Sequence, residues 1–316
     1  MAQLERRGHT PETTTAATLK RTLREFSEDH GTDWAAALTY YGVLALFPAL
    51  IAMVSIVGLV GDPATITKTL TDIVRQVSPT AVESLQGPIE SITSSKGKSG
   101  IFALVGIVLA LNAASGYVGA FMRASNQQYE VDEGRSFFKL RPLQIGVTLV
   151  MIIMLVIAAV AVVVTGPLAE AVGNAVGLGS TAVTVWDIAK WPVLLAIVAL
   201  MITVLYYASP NAKLPGFQFI TAGSALAVVV WLVASALFAL YVANFGSYDK
   251  TYGTLGGIIS FLVWLWITNI AILLGNELNA ERARTQQLES GDTRALWEIQ
   301  LPERDAPKEK KRPKTA

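Results

Sequence analysis

Six stretches of the chain carry no Asp, Glu, Lys, Arg or His: Trp34–Val60, Ile101–Met122, Leu143–Val164, Trp191–Tyr207, Phe217–Val242 and Leu255–Leu274. A helix that crosses a bilayer needs about 20 mostly apolar residues, so each stretch reads as a span. The fourth, at 17 residues, is the shortest and has the least certain ends. The first and fifth are long enough to tilt or to continue past the bilayer. Only 16% of the residues are charged and 52% are hydrophobic, whereas soluble domains carry about a quarter charged. The expected fold class is an all-α polytopic membrane protein with six transmembrane helices. No apolar segment precedes residue 34, so span one is expected to act as the insertion signal, without a cleavable leader.

The distribution of Lys and Arg orients the spans. Nineteen of the 25 lie in residues 1–33, in 123–141, at Lys213 or after residue 274. The other six are Lys68, Arg75, Lys96, Lys98, Lys190 and Lys250. Both termini are therefore expected in the cytoplasm. The chain divides into an amino-terminal cytoplasmic segment (1–33), a membrane domain (34–279) and a basic, largely disordered cytoplasmic tail (280–316).

In the first segment, Leu19, Leu23 and Phe26 share a helical face ringed by Lys20, Arg21 and Arg24. Such a helix suits an anionic leaflet, and equally suits packing under the bundle. The tail carries Lys308, Lys310, Lys311, Arg312 and Lys314, suited to contact with anionic lipids. It has no interleaved aromatic residue to stack on bases, so no nucleic-acid partner is expected. The outer loop 61–99 holds two starts of a capped helix, Asp62–Pro63 and Ser78–Pro79, each followed by apolar residues at helical spacing. Two amphipathic helices are expected there, roofing a cavity or packed on the span ends.

Several polar or irregular positions fall within the apolar runs or join them. Pro48 lies inside span one and is expected to break it, because proline removes a helical hydrogen bond. Asn112 and Ser115 lie one turn apart in span two, where an amide must find partners inside the bundle. Gly116 with Ala120, and Gly253 with Gly257, are small pairs that let helices approach. A cavity is expected between span two, the break at Pro48 and the start of span six, lined by Asn112, Ser115, Tyr248 and Asn269. Arg135 would stand at its cytoplasmic mouth to receive an anionic head group, or would instead pair with Glu130, Asp132 or Glu133.

Three groups of residues carry a family resemblance: Ala35-Ala36-Ala37-Leu38-Thr39-Tyr40-Tyr41 through Leu46-Phe47-Pro48; Asn126, Tyr129 and Arg135; and Tyr206, Pro210-Asn211, Trp231, Asn244-Phe245-Gly246-Ser247-Tyr248, Tyr252-Gly253 and Gly275-Asn276-Glu277-Leu278-Asn279. Over roughly residues 20–285 the chain resembles the YihY/BrkB family of bacterial inner-membrane proteins, long mislabelled ribonuclease BN. Ala45 departs from the serine expected before Leu-Phe-Pro. The resemblance implies six spans, an inner-membrane location and an envelope role in transport or lipid handling.

The residues do not support an enzyme. Only His9 and His30 could supply imidazole, no cysteine is present, and no Walker A, GxSxG or HExxH motif occurs. Asp29, His30 and Asp33 read as a cap for span one. No catalytic residue, metal or cofactor is expected. Without ionisable groups in the spans, proton antiport is disfavoured. Translocation of a lipid-like or amphipathic substrate is the leading expectation, with a non-transport scaffold of an envelope complex as the alternative. The polar echo of Ser115 and Asn126 in Ser235 and Asn244 further suggests an inverted repeat of spans one to three in four to six.

Overall fold

The structure, a computed structural model, describes residues 13–60, 99–163, 180–244 and 254–306, with side chains in the first long helix described as far as Ala45. Among these residues the chain forms seven α-helices: α1 (Thr15–Glu28), α2 (Gly31–Val60), α3 (Ser99–Gln128), α4 (Phe137–Val163), α5 (Ser180–Ala208), α6 (Ala222–Asn244) and α7 (Thr254–Glu289). A 3₁₀ turn at Thr293–Leu296 follows. Five of them, α3 to α7, are long and apolar enough to cross a membrane. The expected outer helices at 62–95 lie outside the described residues. So do Tyr248, Gly253 and the basic residues from Lys308 onward.

The long helices form a ring in chain order. Each of α2 to α6 packs on its successor and α7 returns to α2, while α1 lies against α7. Packing differs between the halves: α2 runs closely along α3, but α5 only touches α6, which lies along α7 instead. The apolar core joins Leu38, Phe121, Met122, Leu205, Tyr206 and Leu273. Phe121 and Tyr206 stack with ring centroids 6.1 Å apart. Outward faces remain apolar and exposed, as at Leu155 and Leu237 (60% and 62%). In water such surface would aggregate; it suits lipid.

Three expectations about the elements are corrected. Helix α2 continues through Pro48 without a break, as membrane helices with proline can when neighbours satisfy the freed carbonyl. The helices also outrun the uncharged runs: α4 takes in Lys139 and Arg141, and α5 takes in Asp187 and Lys190. Finally, the boundary at residue 279 falls inside α7. At 36 residues that helix is about 54 Å long at 1.5 Å per residue, against about 30 Å of hydrocarbon. Its last turns therefore stand clear of the bilayer, and residues 290–306 fold back against the bundle rather than trailing from it.

Helix backbones approach closely where α6 crosses α7. A Cβ on Gly223 would collide with the Gly275 carbonyl oxygen, and one on Gly275 with that of Gly223. Of the small pairs inferred from sequence, Gly253 lies outside the described residues, and among those described a Cβ on Gly257 would meet nothing within 4 Å. Asn279 secures the same crossing from α7. Its Oδ1 accepts from the Gly223 amide (2.9 Å) and its Nδ2 donates to Thr221 Oγ1 (3.0 Å), capping the start of α6. Gly275→Val is accordingly expected to lower stability by about 2 kcal/mol or more, as overpacking does. Gly257→Ala should be neutral or slightly stabilising; thermal unfolding of the purified variants in one detergent checks both.

Candidate functional site

The side chains proposed from sequence as one cavity occupy three places. Arg135 belongs to a polar cluster at the end of the bundle where α3 and α7 project. It is nearly buried (7% exposed). Its Nε and Nη2 donate to the two Glu133 carboxylate oxygens at 2.7 and 2.6 Å, and Nη2 also donates to the Ser209 carbonyl at 2.9 Å. The pairing alternative thus holds over the cavity mouth. Burial pushes the Glu133 carboxyl up, but the Arg135 bonds outweigh it and hold the group below its usual range.

Asn211 sits at the centre of that cluster and is fully buried. Its backbone N–H donates to Asn126 Oδ1 (2.7 Å), and its Nδ2 donates to the carbonyls of Asp132 and Asp305 (both 2.8 Å). Its Oδ1 accepts from the Asp305 amide (3.1 Å). One residue thereby joins α3, the 129–136 connection, the α5–α6 turn and the carboxy-terminal segment. That segment is fastened further by the isolated bridge between Ala212 and Glu303, by Lys139 pairing with Asp305, and by Arg304 donating to the carbonyls of Ala212 and Tyr207. Gly134 admits the Asp305 carbonyl where any side chain would block it.

Beside this node, Glu130 adopts a left-handed φ of 53°, unusual outside glycine. The turn brings its carboxylate to Arg284 Nη2 (2.8 Å) and to the Ile299 amide. Arg284 also donates to Glu281 (2.8 Å), whose other oxygen accepts from Arg21 Nε (2.8 Å). Arg21 therefore faces α7 rather than lipid, and Thr18 meets Thr285 on the same seam. The face of α1 that packs under the bundle carries Thr18, Arg21 and Thr22 rather than the apolar Leu19 and Leu23. Leu19, Leu23 and Lys20 remain exposed, and Arg24 pairs with Glu25. Glu277 is buried (1%) with no partner for Oε2 among the described residues.

Asn269 lies elsewhere, joining α7 to α2 and α3. It donates to Thr39 Oγ1 (3.1 Å) and accepts from the Tyr117 hydroxyl (2.8 Å). All three are turned inward, so this triad reads as interhelical bonding.

Asn112 and Ser115 form the third place, on the seam between α3 and α4, with a partner that the sequence reading missed. Arg141 Nη2 donates to Asn112 Oδ1 (3.1 Å), and Nη1 donates to Gln144 Oε1 (3.0 Å) and Ser115 Oγ (3.3 Å). Ser115 in turn donates to the Asn112 carbonyl (2.8 Å). Among the described residues Arg141 makes no ion pair; its hydrogen-bond acceptors are all neutral. Exposed apolar side chains flank the seam, Val108 and Leu109 from α3 and Ile145 and Leu149 from α4. Arg141 stood two residues before an uncharged run and counted only as a cytoplasmic charge. The signal that could have found it is spacing: Arg141 and Gln144 are one helical turn apart, as are Asn112 and Ser115. Pro210 is buried beside Asn211, and Asn244 ends α6.

Among the described residues no cluster of three His, Asp or Glu side chains could hold a metal ion. The Asp29–His30–Asp33 group is a helix junction. Asp29 ends α1, accepts from Gln127 and is pushed up to about 6, chiefly by burial. An acid with a raised folded-state pKa stabilises fully below its ordinary value near 4 and loses that contribution as pH rises through about 6. Asp29→Asn is thus expected to melt above wild type at pH 7.5 and with it near pH 4; thermal unfolding across that range is the check.

The comparisons with known proteins point to one family. The family described as Virulence factor BrkB matches residues 22–299. A ribonuclease-like protein of Bacillus subtilis (strain 168), YfkH, is 31% identical over 264 residues, covering 83% of this chain and 94% of its own length. A UPF0761 membrane protein of Chromohalobacter salexigens is 26% identical, covering 85% of this chain and 64% of its own. For a UPF0761 membrane protein of Pseudomonas aeruginosa (strain LESB58) the figures are 26%, 79% and 59%. The chain thus spans less than two thirds of those two longer relatives. No solved structure matches it. With one family matched from residue 22 to residue 299, the chain belongs to the BrkB family of bacterial multi-pass membrane proteins.

Proposed function

We propose that the protein is a six-span inner-membrane protein, with both termini in the cytoplasm, that moves an anionic lipid-like or amphipathic envelope substrate along the seam of α3 and α4. One observation carries the reading: the Arg141 guanidinium lies on neutral acceptors, Asn112, Ser115 and Gln144, on an otherwise apolar, outward-facing seam. A cation at membrane depth is costly, and such residues commonly mark substrate paths. Here its countercharge is left to an arriving anion. Guanidinium can bind phosphate or carboxylate with two parallel donors, while acyl chains remain against Leu109 and Ile145. The ribonuclease-like label belongs to the Bacillus relative; among the described residues no group of three or more His, Asp or Glu side chains could hold a metal ion for such hydrolysis. The six-span reading adds α2, a 30-residue helix over the first uncharged run, to the five apolar helices.

Purified protein reconstituted in liposomes should raise the rate at which a fluorescent phosphatidylglycerol exchanges between leaflets. Arg141→Gln is expected to reduce that rate at least tenfold while leaving the melting temperature within a few degrees, since membrane hydrogen bonds average about 0.6 kcal/mol. Exchange no faster than in protein-free liposomes sinks the transport reading and leaves a scaffold role. Orientation has its own test in this cysteine-free chain. Ser94→Cys should react with an impermeant thiol reagent from outside intact cells, and Ser290→Cys only after permeabilisation.

A further inference from the structure

A cleft of about 130 Å³ opens between the end of α5, the 214–222 connection and the outer turns of α7. It is distinct from the α3/α4 seam and stands without the transport reading. Tyr206 and Thr203 form its floor, Leu214 and Pro215 one side, and Asn279, Arg282 and Gln286 the α7 lip. Its walls are set independently of any ligand. The Tyr206 hydroxyl donates to the Ile272 carbonyl, and the Asn279 amide is committed to Gly223 and Thr221. Well below the roughly 300–1,000 Å³ of drug-sized sites, the space admits a head group rather than a whole lipid.

Charge is uncompensated at this lip. Arg282 is exposed and makes no ion pair among the described residues. By contrast Arg284, two residues on, is held by Glu281 and Glu130, and Arg304 is spent on backbone carbonyls and on the Tyr207 ring, 5.2 Å away. The connection that forms the other side turns large apolar groups outward: Phe219 is 75% exposed and Ile220 57%. Phe217 packs edge-on between Tyr207 and Phe219. Aromatic residues in such a position sit at the level of lipid head groups. An apolar apron at the interface, a small polar cleft behind it and a free guanidinium on its rim match one chemistry, a phosphate diester carried on acyl chains.

We propose that this cleft binds the head group of an anionic phospholipid from the adjacent leaflet, with Arg282 receiving the phosphate and the acyl chains lying over Phe217 and Phe219. The test uses the full-length protein in a neutral detergent, titrated with dioleoylphosphatidylglycerol, dioleoylphosphatidylcholine or inorganic phosphate while its melting temperature is followed. A ligand that binds the folded state raises that temperature in proportion to its occupancy. Phosphatidylglycerol should raise it by several degrees and the other two should not. Arg282→Gln and the cleft-filling Ala283→Phe should each weaken the apparent affinity at least tenfold. Arg282→Lys should restore part of it, and Arg294→Gln, the same loss of charge at an exposed site beyond α7, should leave it unchanged. The proposal is overturned if Arg282→Gln titrates like wild type, if Arg294→Gln weakens binding as much, if phosphatidylcholine stabilises as well, or if inorganic phosphate alone reproduces the shift. Failure here leaves leaflet exchange through the Arg141 seam untouched, because the two variants are read by different measurements.

Discussion

The polar end of this bundle depends on the buried amide of Asn211. A primary amide withdrawn from water must have its donors and acceptor matched, because each unmatched group costs about 1–3 kcal/mol. The Asn211 side-chain amide meets that demand at Asp132, just after α3, and at Asp305 in the carboxy-terminal segment, while its backbone N–H donates to Asn126 at the end of α3. Neither Asp132 nor Asp305 lies in a helix that would hold it in place. Their backbone groups find partners in the Asn211 amide, and the geometry of a single side chain sets their mutual positions.

The consequence reaches into the membrane. The connection from Val131 to Ser136 is held by Asn211 at Asp132, by the Arg135–Glu133 pair and by the approach of Asp305 to Gly134. Helix α4 starts directly after it, and Lys139 in its first turn is tied to Asp305. Arg141 follows two residues later. The place from which its side chain reaches Asn112 and Ser115 is thus fixed by a hydrogen-bonded node outside the apolar layer. The carboxy-terminal segment, which reads as a trailing tail, is part of what positions Arg141 on the seam between α3 and α4.

The two sides of the ring have different bonding. Next to α7, residues from α1, α3 and the 3₁₀ region meet in paired charges, Arg21 and Arg284 about Glu281 and Glu130. Such pairs offset desolvation only when all members are present. Toward lipid, α4, α5 and α6 show apolar side chains and few interhelical polar contacts. Between them the Gly223–Gly275 crossing brings backbones together, where dispersion and close packing replace charge.

Much of the fold was legible in the chain because hydrocarbon imposes a one-dimensional rule. An uncharged apolar run must be helical and must be about as long as the bilayer is thick, so five of the six runs reappear as apolar helices and the first falls within α2. The same rule explains where reading failed. It marks where charge is excluded, not where a helix ends, so the extensions of α4 to Phe137 and α7 to Glu289 were invisible, and Arg141 fell outside the frame. Side-chain partners were legible only when near in sequence, as for Arg135 and Glu133. Whether Asn112 would meet Arg141, whether Asn269 would turn to Thr39 and Tyr117, and which glycines would touch were decided by how the helices cross. Periodicity determines which face of a helix is polar; only the tertiary packing decides which other face it meets, because that depends on the joint geometry of elements as much as 267 residues apart, as Thr18 and Thr285 are.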